Sequence, residues 1–319
     1  PSVGWFLGPV LRLFSPDLLW GSEFRRQKTF VDKSQYWSAP QAREFQLEQI
    51  KRICHLAYDG SEYYRSAFAE RNITPDDIRS LSDVSRLPVI DRHVVRDHME
   101  SMCVESLHSS GVEVVSTGGT GGEPLRFALP FNRSAVEYAY LVASWQRCGF
   151  SLTTPLAVLR GHVVRPDRHG SYHVYDPLLR HYYYSSFHLS DENMGNYLRH
   201  IATIGPCFLH VYPSTVSALA RFILQRGLEA PRTIQGIIAE SEIVYPEQRR
   251  MAEEVFRCRY FSCYGQSEKV VLASECEHST HYHVWPTYGY FELLDEKGNP
   301  VTTPGQRGEI VGTGFINTV

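Results

Sequence analysis

Cys207-Phe-Leu-His-Val-Tyr212, Thr233-Ile-Gln-Gly-Ile-Ile-Ala239 and Arg259-Tyr-Phe-Ser-Cys263 are three short apolar runs, and what separates them decides the fold. Each gap has helical spacing. Before the first run, Met194, Tyr197, Leu198 and Ile201 recur on one face, and the helix ends near Gly205. Between the first and second, Val216, Leu219, Ala220 and Ile223 form the inward face of a helix that begins at Ser214 and closes at Gly227. Between the second and third, Pro246 opens a helix that turns Met251 and Val255 inward. Strands of this length alternating with helices predict an α/β fold with a parallel sheet and right-handed crossovers.

Outward from this core the pattern changes on both sides. Residues 38–102 read as a helical lead-in: Pro40 sits at a helix start, and Phe45, Ile50, Ile53, Leu56 and Ala57 recur at helical spacing. Val112–Val115 and Leu125–Leu129 read as strands around a glycine-rich stretch. A helix follows, capped by Asn132, with Ala135, Tyr138, Ala139, Val142 and Trp145 on one face and Gly149 at its end. Leu156–Leu159 and Tyr182–Ser186 are short strands, and the His-, Arg- and Pro-rich section between them has no readable element. After Tyr264, the segments Val270–Ala273, Tyr288–Leu294 and Glu309–Thr313, with a turn at Asp295–Pro300, predict an antiparallel unit. The expected division is a helical N-terminal region 1–110, an α/β nucleotide- and acid-binding core 111–264 and an antiparallel β subdomain 265–319.

Composition narrows the function classes. A chain of 319 residues can bury a large core, and a formal net charge of -3 gives no electrostatic reason to expect nucleic acid or an anionic membrane as partner. Seven cysteines at irregular spacing, without a CxxC pair, point to reduced thiols and a cytoplasmic compartment rather than a disulfide framework. The apolar run Val3–Leu11 is far shorter than the roughly 20 residues of a membrane-spanning helix and lacks a signal-peptide pattern, so it reads as a segment packed on the body of the protein.

Three motifs carry chemistry. The stretch Ser116-Thr117-Gly118-Gly119-Thr120-Gly121-Gly122-Glu123-Pro124 leaves consecutive backbone amides uncovered, and Thr117 and Thr120 add hydroxyl donors, so it can wrap a polyphosphate. No Gly-Lys-Ser/Thr follows, and the next element reads as a strand, so it is neither a Walker loop nor a Rossmann turn; on its own it also reads as a flexible hairpin loop. Ala239-Glu240-Ser241 and Tyr264-Gly265-Gln266-Ser267-Glu268 both fall just past strand C-termini, the edge at which open α/β sheets bind ligands. Tyr264 offers a flat ring for adenine, with Glu240 on its other side. Ser267 can hydrogen-bond a phosphate, and Glu268 is a hard oxygen ligand suited to magnesium. The third motif is Gly308-Glu309-Ile310-Val311.

In this order the motifs resemble those of the adenylate-forming enzymes, in particular the phenylacetate–CoA ligase-like branch that includes capsular-polysaccharide-biosynthesis-type proteins. Thr117, Gly119, Thr120, Gly122 and Pro124 fit that branch's phosphate loop, Ala239 and Glu240 its adenine-side turn, Tyr264, Gly265, Ser267 and Glu268 its pentad, and Gly308 and Glu309 its last segment. Gly121 stands where the branch carries a second hydroxyl, and Glu123 where many members have Lys. The resemblance covers the large N-terminal domain only. The small C-terminal domain of the family, and the Arg/Asp segment before it, have no counterpart in 1–319.

What the resemblance implies is activation of a small carboxylic acid by ATP as acyl-AMP, followed by transfer to CoA or a carrier-protein thiol. The residues from Thr117 through Gly118, Gly119, Thr120, Gly121 and Gly122 would hold phosphates. Ala239, Glu240, Ser241, Tyr264 and Gly265 would frame the adenine, and Ser267 would touch the α-phosphate. Glu268 would bind Mg2+, and Tyr212, Pro213 and Ala239 would line the acid pocket. Thr120, Ser267 and Glu268 are the expected catalytic residues. A non-catalytic nucleotide-binding or scaffolding descendant is the other class left open. Two further groups read first as ordinary residues, with zinc the alternative for the first and attraction of phosphate or CoA the alternative for the second. Cys258, Cys263, Cys276, His278, His281 and His283 match no standard zinc module, and the basic residues around Arg160, His162, Arg165 and Arg168 read as a solvated loop.

Overall fold

The computed structural model describes residues 20–118, 123–164 and 172–319. The apolar run Val3–Leu11, the loop residues Gly119, Thr120, Gly121 and Gly122, and Arg165, Arg168 and His169 lie outside the described residues.

The helical lead-in is α1 (Gly21–Ser34), α2 (Ala39–Gly60), α3 (Glu62–Glu70) and α4 (Arg92–Met102). Local chemistry sets its boundaries. Before α2, the Ser38 backbone N–H donates to Gln41 Oε1 at 2.9 Å, with Pro40 in the first turn. Ser61 Oγ accepts from Tyr64 N–H at the start of α3 (3.2 Å). Asp91 takes His93 N–H and Val94 N–H, at 2.8 and 2.9 Å, at the start of α4.

Next come the hairpin β1 (Val112–Ser116) and β2 (Arg126–Pro130), then α5 (Arg133–Gln146) and the strands β3 (Leu156–Leu159), β4 (His173–Asp176) and β5 (His181–Tyr184). The regular alternation follows: α6 (Asp191–Ile204), β6 (Cys207–Val211), α7 (Pro213–Arg226), β7 (Ile234–Glu240), α8 (Pro246–Phe256) and β8 (Arg259–Gly265). β9 (Leu272–Cys276), β10 (Ser279–Val284), β11 (Gly289–Leu294) and β12 (Glu309–Gly314) complete the chain. Gly227 ends α7 in the left-handed conformation at φ 60°, where its N–H reaches Leu224 O, the position glycine fills at least cost.

The central sheet has eight strands in the order β10-β9-β8-β7-β6-β3-β5-β4. Its middle, β5-β3-β6-β7-β8, is parallel throughout, and β4 runs antiparallel to β5. Parallel strands with helical crossovers need apolar residues on both faces, and β3 and β6 are buried at every position. One face, with Ala157, Leu159, Leu209, Val211, Ile237, Ala239 and Tyr260, packs against α6, α7 and α8 in a single apolar core. The opposite face carries Phe208 and His210 and is covered by Trp145 and Phe150, whose ring centroids lie 5.6 Å apart.

Two features differ from the sequence reading. β4 occupies part of the section with no readable element. Leu272–Ala273, expected within the C-terminal antiparallel unit, starts β9, which continues the main sheet beside β8; its residues 272–275 are buried, as a strand inside a covered sheet requires. β11 and β12 do pair antiparallel, from Gly289↔Gly314 to Leu294↔Glu309.

Among the described residues the chain forms two compact units. One comprises residues 141–264 and 273–283 with the start of α1 up to Arg25; the other comprises 26–140, 265–272 and 284–319. The second unit has its own core of Ile50, Cys54, Phe68, Ile73, Ile78, Val84 and Phe315. No helix among the described residues is long and apolar enough to cross a membrane.

Candidate functional site

Within the first unit, the C-terminal edge of the parallel strands gathers Arg160 after β3, His210 and Tyr212 at the end of β6, Glu240 and Ser241 at the end of β7, and Tyr264 in β8. Register places them. Val158 lies opposite His210, His210 opposite Ile238, and Glu240 opposite Cys263. With side chains alternating along each strand, His210 and Glu240 therefore share the face that Trp145 covers.

The Glu240 carboxylate is turned inward and fully engaged. Trp145 Nε1–H donates to Oε1 at 3.1 Å, Arg160 Nη1 donates to Oε2 at 2.5 Å, and His210 Nε2 lies 3.3 Å from Oε2. Arg160 Nη1 also donates to His210 Nε2 at 2.7 Å; because a guanidinium only donates, that nitrogen accepts and the imidazole proton sits on Nδ1. Burial works against ionisation of Glu240, but the Arg160 guanidinium and the Trp145 N–H outweigh it and hold the carboxyl well below the usual carboxylate range. Burial lowers His210, Glu240 raises it and Arg160 lowers it again, for a net downward shift that keeps the ring neutral. The permanent charges are thus one guanidinium and one carboxylate.

This ion pair shapes the edge. Arg160 Nη2 donates to Ser241 Oγ at 2.8 Å, and the guanidinium lies over the Tyr212 ring, 5.5 Å from its centroid. Ser241 adopts φ +71°, a left-handed turn at which the chain leaves β7. Tyr212 is half-buried, Pro213 is the buried first residue of α7, and the Ala239 side chain sits in the apolar core on the opposite face from Glu240. At the start of α7, Glu242 accepts from Ser214 N–H at 2.8 Å and from Ser214 Oγ at 2.9 Å, capping the helix. Of the expected residues here, Tyr212, Ser241 and Tyr264 stand at the edge, whereas the Glu240 side chain is turned inward. Arg160 was read as part of a solvated loop. It is instead the residue that joins Tyr212, His210, Glu240 and Ser241, and the Arg-Gly pair directly after an apolar strand was the only available signal.

The second unit holds the other expected residues. Thr117 closes the base of the β1–β2 hairpin: its N–H donates to Leu125 O at 2.9 Å, and its Oγ1 accepts from Leu125 N–H at 3.0 Å. At Gly118 a Cβ would meet nothing within 4 Å, and its φ is not positive, so neither packing nor backbone conformation demands glycine there. Glu268 is half-buried, and its carboxylate makes no hydrogen bond or ion pair among the described residues. The next residue is pinned. Lys269 adopts φ +61° and its Nζ donates to Glu137 Oε1 at 2.7 Å, with both side chains about one-fifth exposed. Ser267 and Gly265 are exposed. A half-buried carboxylate without a protein partner suits a hard divalent cation, and an open backbone at glycine suits close approach of an anion. Among the described residues no three His, Cys, Asp or Glu side chains converge as a metal site.

No family model matches the chain. It is 24% identical over 292 residues to the phenylacetate-coenzyme A ligase of Pseudomonas putida, covering 90% of this chain and 65% of that protein. It is 21% identical over 277 residues to protein CapK of Staphylococcus aureus, covering 86% and 59% respectively. Its fold matches 2-hydroxyisobutyryl-CoA ligase, solved with 2-HIB-AMP and CoA in the thioesterification state, at TM-score 0.70 and 20% identity over 88% of this chain and 61% of that one. The chain spans about three-fifths to two-thirds of the length of these relatives. Sequence and fold thus agree with the ordered motifs: the chain is similar to the phenylacetate–CoA ligase-like branch of the adenylate-forming enzymes.

Proposed function

We propose that this chain is the nucleotide- and acid-binding part of an ATP-dependent, adenylate-forming acid–thiol ligase. In the proposed reaction a carboxylate oxygen attacks the α-phosphorus of ATP and pyrophosphate leaves with the electrons of the broken P–O bond. The thiol of CoA, or of a carrier protein, then takes the acyl group and AMP departs. The observation that carries this reading is the parallel register of β7 and β8. It sets Glu240 opposite Cys263, so that the Glu240–Ser241 turn and Tyr264 leave neighbouring strands at the same edge.

The roles follow from chemistry. Tyr264 and the backbone of Ala239–Ser241 would bracket the purine. Thr117, Gly118 and the loop through Gly122 would hold the β- and γ-phosphates, where amide donors stabilise charge without a covalent nucleophile. Ser267 would touch the α-phosphate, and Tyr212 with Pro213 would border the acid. Glu268 would hold Mg2+, which supplies charge neutralisation at the phosphates when bound. The seven free cysteines suit a reducing, cytoplasmic compartment.

Acid-dependent exchange of pyrophosphate into ATP by the full-length protein tests the reading. Exchange that needs both an acid and Mg2+ supports it. No exchange with any of a broad acid panel, alongside ATP binding, would leave a nucleotide-binding protein without ligase activity.

A further inference from the structure

A row of ring side chains runs inward from the same strand edge, on the face shared by His210 and Glu240. His162 packs on Tyr183 with ring centroids 4.3 Å apart, and Tyr183 Oη lies 3.1 Å from His181 Nδ1. His181 faces Leu156 in register and Tyr183 faces Val158, so both point to the side of Phe208 and His210. His181 lies two residues deeper than Tyr183, roughly 6–7 Å along the strand. It is only 6% exposed, yet its Nε2 has no hydrogen-bond partner among the described residues. A buried polar atom without a partner is costly and uncommon, and a bound group is one of the few ways to satisfy it.

The surroundings restrict what that group is. Burial, reinforced by His210 and His162, holds His181 down to about 3, so the ring is neutral near pH 7. The cation at this edge, Arg160, is already matched by Glu240. A second carboxylate or an ammonium would therefore be buried without a counter-charge. A hydroxyl both donates and accepts, so it satisfies Nε2 in either tautomer. Resting on the ligase reading above, we infer that the acid activated here carries a hydroxyl distal to its carboxylate, and that His181 is the specificity-determining residue that recognises it.

The experiment is pyrophosphate exchange by the full-length protein with matched acids: phenylacetate against 4-hydroxyphenylacetate, and hexanoate against 6-hydroxyhexanoate. The hydroxylated member of at least one pair should be preferred about tenfold or more in kcat/KM, the size of one buried hydrogen bond. His181→Phe should bring that ratio close to 1. Tyr183→Phe, which removes the partner that orients the imidazole, should lower it several-fold and serves if the first variant does not fold. Preference for the plain acid in both pairs, or a hydroxyl preference that survives both substitutions, would overturn the inference and leave the ligase reading standing. No exchange with any acid would remove the ligase reading and this inference together.

Discussion

Replacing Glu240 with Gln keeps the shape of the side chain and removes its charge, which isolates what the Arg160–Glu240 pair contributes. The carboxylate side chain is 10% exposed and the guanidinium 23%. Breaking a fully buried pair from one side costs about 3–5 kcal/mol; with Arg160 still partly hydrated, we expect about 2–4 kcal/mol. The Trp145 N–H keeps an acceptor in the variant, so the loss reports mainly on Arg160, whose Nη1 then faces an amide. Arg160→Met in the same chain should recover part of it, because the double variant leaves no unpaired charge. Urea unfolding, followed by fluorescence and far-UV circular dichroism, measures all three proteins. The sign of the pH dependence is set by the folded-state value of Glu240, which lies below its unfolded value. The stabilisation is present at pH 7 and is lost as pH falls from the ordinary carboxylate range toward the folded value, so the wild-type and Gln curves should converge in acid. A Gln variant within about 0.5 kcal/mol of wild type at pH 7 would refute the claim that this pair organises the strand edge.

Glu268→Ala should abolish exchange in the full-length protein, a loss on the order of a hundredfold or more. It should move stability by no more than about 0.5 kcal/mol, since the carboxylate has no partner to lose among the described residues; exchange at the wild-type rate would remove the metal role. Gly118→Ala places its Cβ in open space, so the melting temperature should not change, while calorimetry should show weaker Mg-ATP binding if the backbone is approached closely there. Burial pushes the thiols of Cys54 and Cys207 up to about 11 and those of Cys148 and Cys258 up to about 12, and raises Cys263 well above its ordinary value. These five should react with an aromatic disulfide reagent at pH 8 only after unfolding, and rapid labelling of Cys207 or Cys263 in the native protein would contradict the packing of the sheet.

The alternation from Asp191 to Tyr264 was legible because each element carries its own punctuation: Pro213 and Gly227 bound one helix, Pro246 opens the next, and the strands are apolar on both faces. β4 was not legible, because four residues in a His- and Pro-rich section become a strand only by pairing with β5. The placement of β9 beside β8 is likewise a tertiary choice that no local pattern states. The candidate site divides in the same way. Ser241 and Tyr264 could be located from strand ends alone. The inward turn of Glu240 depends on Trp145, Arg160 and His210, which lie far from it in sequence and meet it only through strand register and the helix that covers that face.

Glu242, holding the first turn of α7 through Ser214, has a wider effect. The amino end of a helix is ordinarily an attractive berth for phosphate. Here a protein carboxylate already fills that berth, so a phosphate approaching it would meet like charge. Under the proposed function, a nucleotide would be denied one competing orientation there. Removing the obstruction, for instance by Glu242→Gln, would open a decoy perch for inorganic phosphate that the native chain keeps closed.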